Sequence, residues 1–208
     1  MSLPPTYEVV ALPEEMRAIA RRGEWRGSTG GHCPAYQQAN LVILPKEAAA
    51  EFAAFCTRYP KPCPLIEITP PGDPEPARSA PGADIRTDLP GYRIYRHGQL
   101  VEKREEIREL WRDDLVAFLL GCSLTFEHAL IEAGVGVRNV ELGTLVPMFV
   151  SSLACRPAGP HCQVNWRRAN ESGAGCAITR PRRHAAIGSP PRLERSAVSI
   201  ARRDGVED

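Results

Sequence analysis

The sequence carries almost no net charge: 26 Lys and Arg stand against 25 Asp and Glu over 208 residues, a formal +1. That balance removes the electrostatic drive toward nucleic acid or an acidic membrane surface. Long apolar runs are missing too. The longest strongly apolar stretch, residues 115–120, falls far short of the ~20 residues a spanning helix needs. The first residues (MSLPPTYEVVALPEE) lack a basic start followed by an apolar core, so no signal peptide is expected. There is no internal repeat, no C-x-x-C and no H-E-x-x-H, and no metal site is expected. Seven cysteines, an odd number, fit a reducing cytoplasm better than a disulfide framework.

Proline is plentiful instead. Twenty prolines exclude a helical bundle or coiled coil and predict many loops. The hydrophobic share of 43% and the charged share of 25% are those of an ordinary globular domain with a real core. Charge is unevenly placed, however. Residues 1–155 carry a net −4 and residues 156–208 a net +5. The second region also has few large apolar side chains and no sustained period, so it is expected to be a basic, weakly ordered tail. Its arginines lack the interleaved aromatics of a nucleic-acid surface.

The first region reads as α/β, a mixed sheet with helices on its faces. Residues 16–22 predict a short helix stopped by Gly23. Residues 39–44 predict a buried strand closed by Pro45, and 46–58 a helix with Ala48, Phe52 and Phe55 on one face. Residues 65–69 predict a strand, and 70–82, with five prolines, a loop. Residues 92–102 predict a hairpin around His97-Gly98. Residues 105–120 predict a second long helix, with Ile107, Leu110, Trp111, Leu115, Phe118 and Leu119 as its stripe. Gly121-Cys122-Ser123 breaks it, and Ser123 caps a third helix ending at Gly134. Two further strands are expected at 135–142 and 145–151.

Four groups of residues could carry chemistry. Gly27-Ser28-Thr29-Gly30-Gly31 exposes backbone N–H groups that can cradle an anion, with Thr29 and Gly30 at its centre. The same run also reads as a flexible turn. Gln38 and Asn40 bring amide donors and acceptors to the start of the first strand, where they can bind a polar substrate or satisfy loop backbone. In Asp84-Ile85-Arg86-Thr87-Asp88, Arg86 can hold a carboxylate while Asp84 or Asp88 moves a proton; a surface ion-pair loop is the plainer reading. Asp113, Cys122, Ser123 and Glu127 form the last group. Cys122 precedes a helix start, where the dipole favours a thiolate. A buried Cys, a capping Ser and solvated carboxylates explain the same residues without chemistry.

Together these segments resemble the D-glutamate cyclase family of bacterial hydro-lyases. The resemblance lies in WRGSTGGHCPAYQQAN (25–40), LVILPKEAAAEFAAFC (41–56), RYPKPCPLIEIT (58–69), GADIRTDLPGYRIYRHGQLV (82–101), LWRDDLVAFLLGCSLTFEHALIEAG (110–134) and VPMFVSSLACRPAG (146–159). It covers about three quarters of the chain in the family's order. Departures include HCPAYQQ and Tyr59, and the family's C-terminal motifs are not intact after Gly159. The resemblance implies a normally two-domain family whose second half is incomplete here, with 156–208 divergent or frameshifted. It also implies loss of water from D-glutamate to give a 5-oxoproline-type ring, with no cofactor. That reaction needs carboxylate binding, for which Arg86 and Arg138 are the candidates. It needs proton transfer, for which Asp84, Asp88, Asp113 and Glu127 are candidates, and an oxyanion stabiliser, drawn from 28–31 or 121–123. The expected partner is a small amino-acid-like substrate, with no nucleic acid and no membrane; a homo-oligomer is allowed. The alternative is an inactive remnant of the same family.

Overall fold

A computed structural model describes residues 9–61, 63–122, 124–137, 141 and 199–202. The chain opens with α1 (Pro13–Arg21), which begins at a proline, carries Glu14 and Glu15 in its first turn, and buries Met16 and Ala20. It stops at Gly23 as the sequence predicts. β1 (Ala39–Pro45) runs directly into α2 (Lys46–Arg58), with Pro45 ending one and standing at the N-cap of the other. β2 (Leu65–Ile68) follows, and then the proline-rich loop. β3 (Tyr92–Arg96) and β4 (Gln99–Arg104) form the expected hairpin, with His97 and Gly98 both at positive φ as a tight two-residue turn requires. β5 (Leu115–Gly121), α3 (Leu124–Glu132) and β6 (Ser199–Arg202) complete the elements.

The six strands lie in the order β2-β5-β1-β6-β3-β4. β5 is antiparallel to both β1 and β2, while β6 runs parallel to β1 and β3. The sheet is therefore mixed. β6 comes from the basic C-terminal region, where no period-2 pattern announces a strand; the rest of 156–208 lies outside the described residues.

Alternation along β1 and β5 divides the core. Val42, Leu44, Val116, Phe118 and Leu120 meet α2 through Phe52, Phe55 and Cys56. Phe118 is fully buried, edge-on to Phe52 at 5.0 Å. Leu41, Ile43, Leu115, Ala117 and Leu119 face the other way, toward Ile85, Tyr92, Ile94 and Ile107. The loop holding Ile85 is pinned there by Tyr92, whose hydroxyl donates to the Ile85 carbonyl at 2.9 Å.

Residues 105–120 are not a helix. A single 3-10 turn (Arg108–Leu110) leads to an extended Trp111, a turn at 112–114, and then β5. All seven residues of β5 are buried, so its LVAFLLG run has the continuous apolar character of a strand covered on both faces. The strand expected at 135–142 is not formed where it is described. Residues 135–137 are irregular and Glu141 is helical, its N–H donating to the Val137 carbonyl at 3.0 Å. The strand expected at 145–151 lies outside the described residues.

Candidate functional site

Three segments meet at the end of the sheet where β1 begins and β5 ends, and Gln38 is their common point. Its backbone N–H donates to the Thr125 hydroxyl at 2.9 Å. Its carbonyl accepts the Cys122 N–H at 3.0 Å. Its side-chain Nε2 donates to the His32 carbonyl at 3.0 Å, and its Oε1 accepts the Thr29 hydroxyl at 2.8 Å. One residue thus ties the glycine-rich loop to β5 and to the first turn of α3. Gly30 packs closely here: a Cβ would stand 3.1 Å from Leu124 Cδ2, so the leucine side chain would have to shift by a few tenths of an ångström. Its N–H is taken by Ser28 Oγ at 3.1 Å. Cys122 is buried and unbridged beside these groups.

Of the residues expected to carry chemistry, the structure brings Thr29, Gly30, Gln38 and Cys122 together. Asn40 is exposed at the start of β1, opposite Leu120. Glu127 is half-buried on α3. Ser123 and Arg138 lie outside the described residues.

The Asp84–Asp88 segment is elsewhere in its bonding. Arg86 grips Asp84 with Nε and Nη2 at 2.8 and 2.9 Å, and its own backbone N–H adds a third bond at 2.9 Å. Burial pushes the Asp84 carboxyl upward, but these donors outweigh it and hold the group below the usual aspartate value. Asp88, only 2% exposed in its side chain, accepts Arg21 Nε and Nη2 at 2.7 Å each, the Asp84 N–H at 2.9 Å and the Thr87 hydroxyl at 2.8 Å. Both carboxylates and both guanidiniums are engaged with one another. A cleft of about 290 Å³ opens alongside, lined by Arg21, Arg22, Thr87, Glu105, Glu106 and Arg108. Its arginines are paired with Asp88, Glu24 and Glu106, and none of its lining residues belongs to the Gln38 cluster.

Asp113 stands exposed in the turn before β5, against the Gly72 backbone. Cys122 follows the other end of that strand. Seven extended residues separate them by roughly 20 Å at ~3.4 Å per residue, too far for one small substrate to touch both.

Three functional-looking groups escaped the sequence reading. Thr125 and His32 have partners far away in the chain or in the backbone, which local pattern does not reveal. Glu67, 7% exposed, accepts Arg78 N–H at 3.1 Å, and Ser79 N–H and Oγ at 2.8 and 2.5 Å. It holds the proline-rich loop on the edge strand. Among the described residues, no three His, Cys, Asp or Glu side chains gather as metal ligands, and no helix is long and apolar enough to cross a membrane.

The chain is similar to known proteins over much of its length. A family model described as D-glutamate cyclase matches residues 116–172, crossing position 155 where charge and composition change. A protein of Rubrobacter xylanophilus named "Putative hydro-lyase" is 56% identical over 146 residues, which are 70% of this chain and 56% of that protein. Proteins bearing the same name in Geobacillus kaustophilus and Stutzerimonas stutzeri are 50% and 52% identical, over 74% and 71% of this chain and 59% and 56% of their own lengths. The chain therefore spans little more than half the length of the relatives it matches.

Proposed function

We propose that this chain, which is similar to the D-glutamate cyclase family over residues 116–172 and to proteins named putative hydro-lyase over about 70% of its length, is a cytoplasmic hydro-lyase that removes water from D-glutamate or a similar small amino acid. The amine nitrogen attacks the side-chain carboxyl carbon, forming a C–N bond. A C–O bond breaks, and the oxygen leaves as water, carrying the two protons that the ammonium group gives up in becoming an amide N–H. The product is a 5-oxoproline-type ring, and the chemistry calls for no cofactor. The observation that carries the reading is the convergence of Thr29, Gly30, Gln38 and Cys122 on one end of the sheet.

Each group has a role there. The Gln38 amide and Thr29 hydroxyl orient the polar ends of the substrate. Backbone N–H groups of the glycine-rich loop other than that of Gly30, which Ser28 Oγ takes, answer developing negative charge; those of Gly121 and Cys122 are committed to the Pro64 and Gln38 carbonyls. Cys122, Ser123 or Glu127 moves the proton, and Arg138 binds a carboxylate. Asp84, Arg86 and Asp88 build the wall behind α1. Residues 1–155 belong to the family-type region, which the family match carries on to residue 172, and the basic C-terminal region supplies β6.

The purified full chain should convert D-glutamate, or another member of a panel of small amino acids, to a product lacking one water. Gln38→Ala should lower kcat/KM by roughly tenfold or more, as loss of a positioning contact does. Turnover untouched by that change would move the site elsewhere. No dehydrated product from any acid, at high enzyme, would refute the activity. It would favour the second reading, a chain that keeps this part of the fold without turnover.

A further inference from the structure

We propose that His32 is a positioning residue that fixes the orientation of the Gln38 amide, a role that rests on the Gln38 cluster being the substrate site. The ring of His32 is buried, 7% exposed, and packs edge-on against Trp25 with centroids 4.8 Å apart. Its Nδ1 accepts the Val10 N–H at 3.2 Å, so that nitrogen carries no proton. The next residue returns the bond: the Cys33 N–H donates to the Val10 carbonyl at 2.7 Å. Cys33 sits at φ +48°, a left-handed conformation that a non-glycine residue holds only when its surroundings impose it. The His32 N–H closes the turn on the Thr29 carbonyl at 3.1 Å. Ring, turn and Val10 together therefore immobilise one atom that matters, the His32 carbonyl oxygen.

That oxygen can only accept a hydrogen bond. Gln38 must turn Nε2 toward it, which leaves Oε1 for the Thr29 hydroxyl. The amide is held from flipping, and Thr29 is obliged to donate. One N–H of Nε2 and the lone pairs of Thr29 remain for a ligand. A donor beside an acceptor is the complement of an amino acid, with its carboxylate beside an ammonium. If the anchor on Val10 is lost, the His32 carbonyl drifts and the amide can present either end.

The test uses the side-chain amide resonances of Gln38, assigned by their loss in Gln38→Glu, together with titration of D-glutamate. His32→Phe keeps a ring against Trp25 but removes the acceptor. Val10→Pro removes the donor and keeps the imidazole. Both should narrow the separation of the two Gln38 amide protons and speed their exchange, and both should weaken D-glutamate binding by roughly fivefold, the worth of one hydrogen bond. His32→Asn, whose Oδ1 can take the place of Nδ1, should restore both. Unchanged Gln38 resonances in His32→Phe and Val10→Pro overturn the proposal, and so does failure of Asn to rescue. If His32→Phe does not fold, Val10→Pro and His32→Asn decide the matter. Responsive resonances in a protein that binds no D-glutamate would support the positioning role and overturn the substrate reading alone.

Discussion

Asp88 offers the sharpest division between a catalytic and a structural carboxylate. Its side chain is 2% exposed and takes four hydrogen bonds, from Arg21 Nε and Nη2, the Asp84 N–H and the Thr87 hydroxyl. Asp88→Ala strands these donors unequally. Arg21 is 46% exposed and can rehydrate, so its lost pairing costs less than about 1 kcal/mol. The Asp84 N–H has no second acceptor among the described residues and loses about 1–3 kcal/mol. Thr87 is buried but lies 3.4 Å from the Asp84 carbonyl, a weak second acceptor, so its loss falls near the low end, about 1 kcal/mol. The sum is about 2–5 kcal/mol, a large part of a domain's stability. Urea denaturation at neutral pH should show a lower midpoint with an unchanged slope. Asp88→Asn, which keeps one acceptor oxygen, should lose less. A change under about 0.5 kcal/mol for Ala would refute the accounting. An Asn variant of wild-type stability but without turnover would refute the structural role, because it would show that the carboxylate serves the chemistry.

Gly72→Ala should destabilise the fold by about 2 kcal/mol or more, since Gly72 sits at φ +78° and a Cβ there would stand 3.0 Å from the Asp113 backbone; thermal unfolding reads the loss, and a variant melting like wild type would contradict it. Glu67 should give the acid limb of stability. Burial pushes its carboxyl up, but the Ser79 hydroxyl and the Arg78 and Ser79 N–H groups outweigh that and hold it below its ordinary 4.5. A carboxyl depressed on folding stabilises fully above its unfolded value, and that stabilisation disappears as pH falls through the folded one. Glu67→Gln should therefore cost stability at neutral pH and flatten the decline below 4.5 in urea titrations; an acid limb of unchanged slope would assign it to other carboxylates.

Where neighbours in sequence decide the structure, the sequence is legible. Pro45 cannot continue a ladder but suits a helix start, so the β1–α2 junction follows from one residue. His97-Gly98 sets the hairpin in the same way. Residues 105–120 fail for a reason equally physical. Their apolar positions satisfy a 3.6 period, and a strand covered on both faces has no alternation to oppose it. What decides is remote: the Asp114 carbonyl accepts the Lys46 N–H at 2.8 Å, and Arg112 folds back on Asp114, making a turn where the helix would run. β6 lies between β1 and β3, more than a hundred positions from either, and no local pattern reports such a partner. The proposed site obeys the same rule. Polarity and glycine mark Thr29, Gly30 and Gln38 in advance, yet Thr125, 87 residues from Gln38, is what brings α3 to them. Asp84, Arg86 and Asp88 have the same polar marks. They differ because their charges are already answered, by each other and by Arg21 of α1. A residue type shows which groups are able to do chemistry, and tertiary pairing shows which of them are left with a hydrogen-bonding valence to do it.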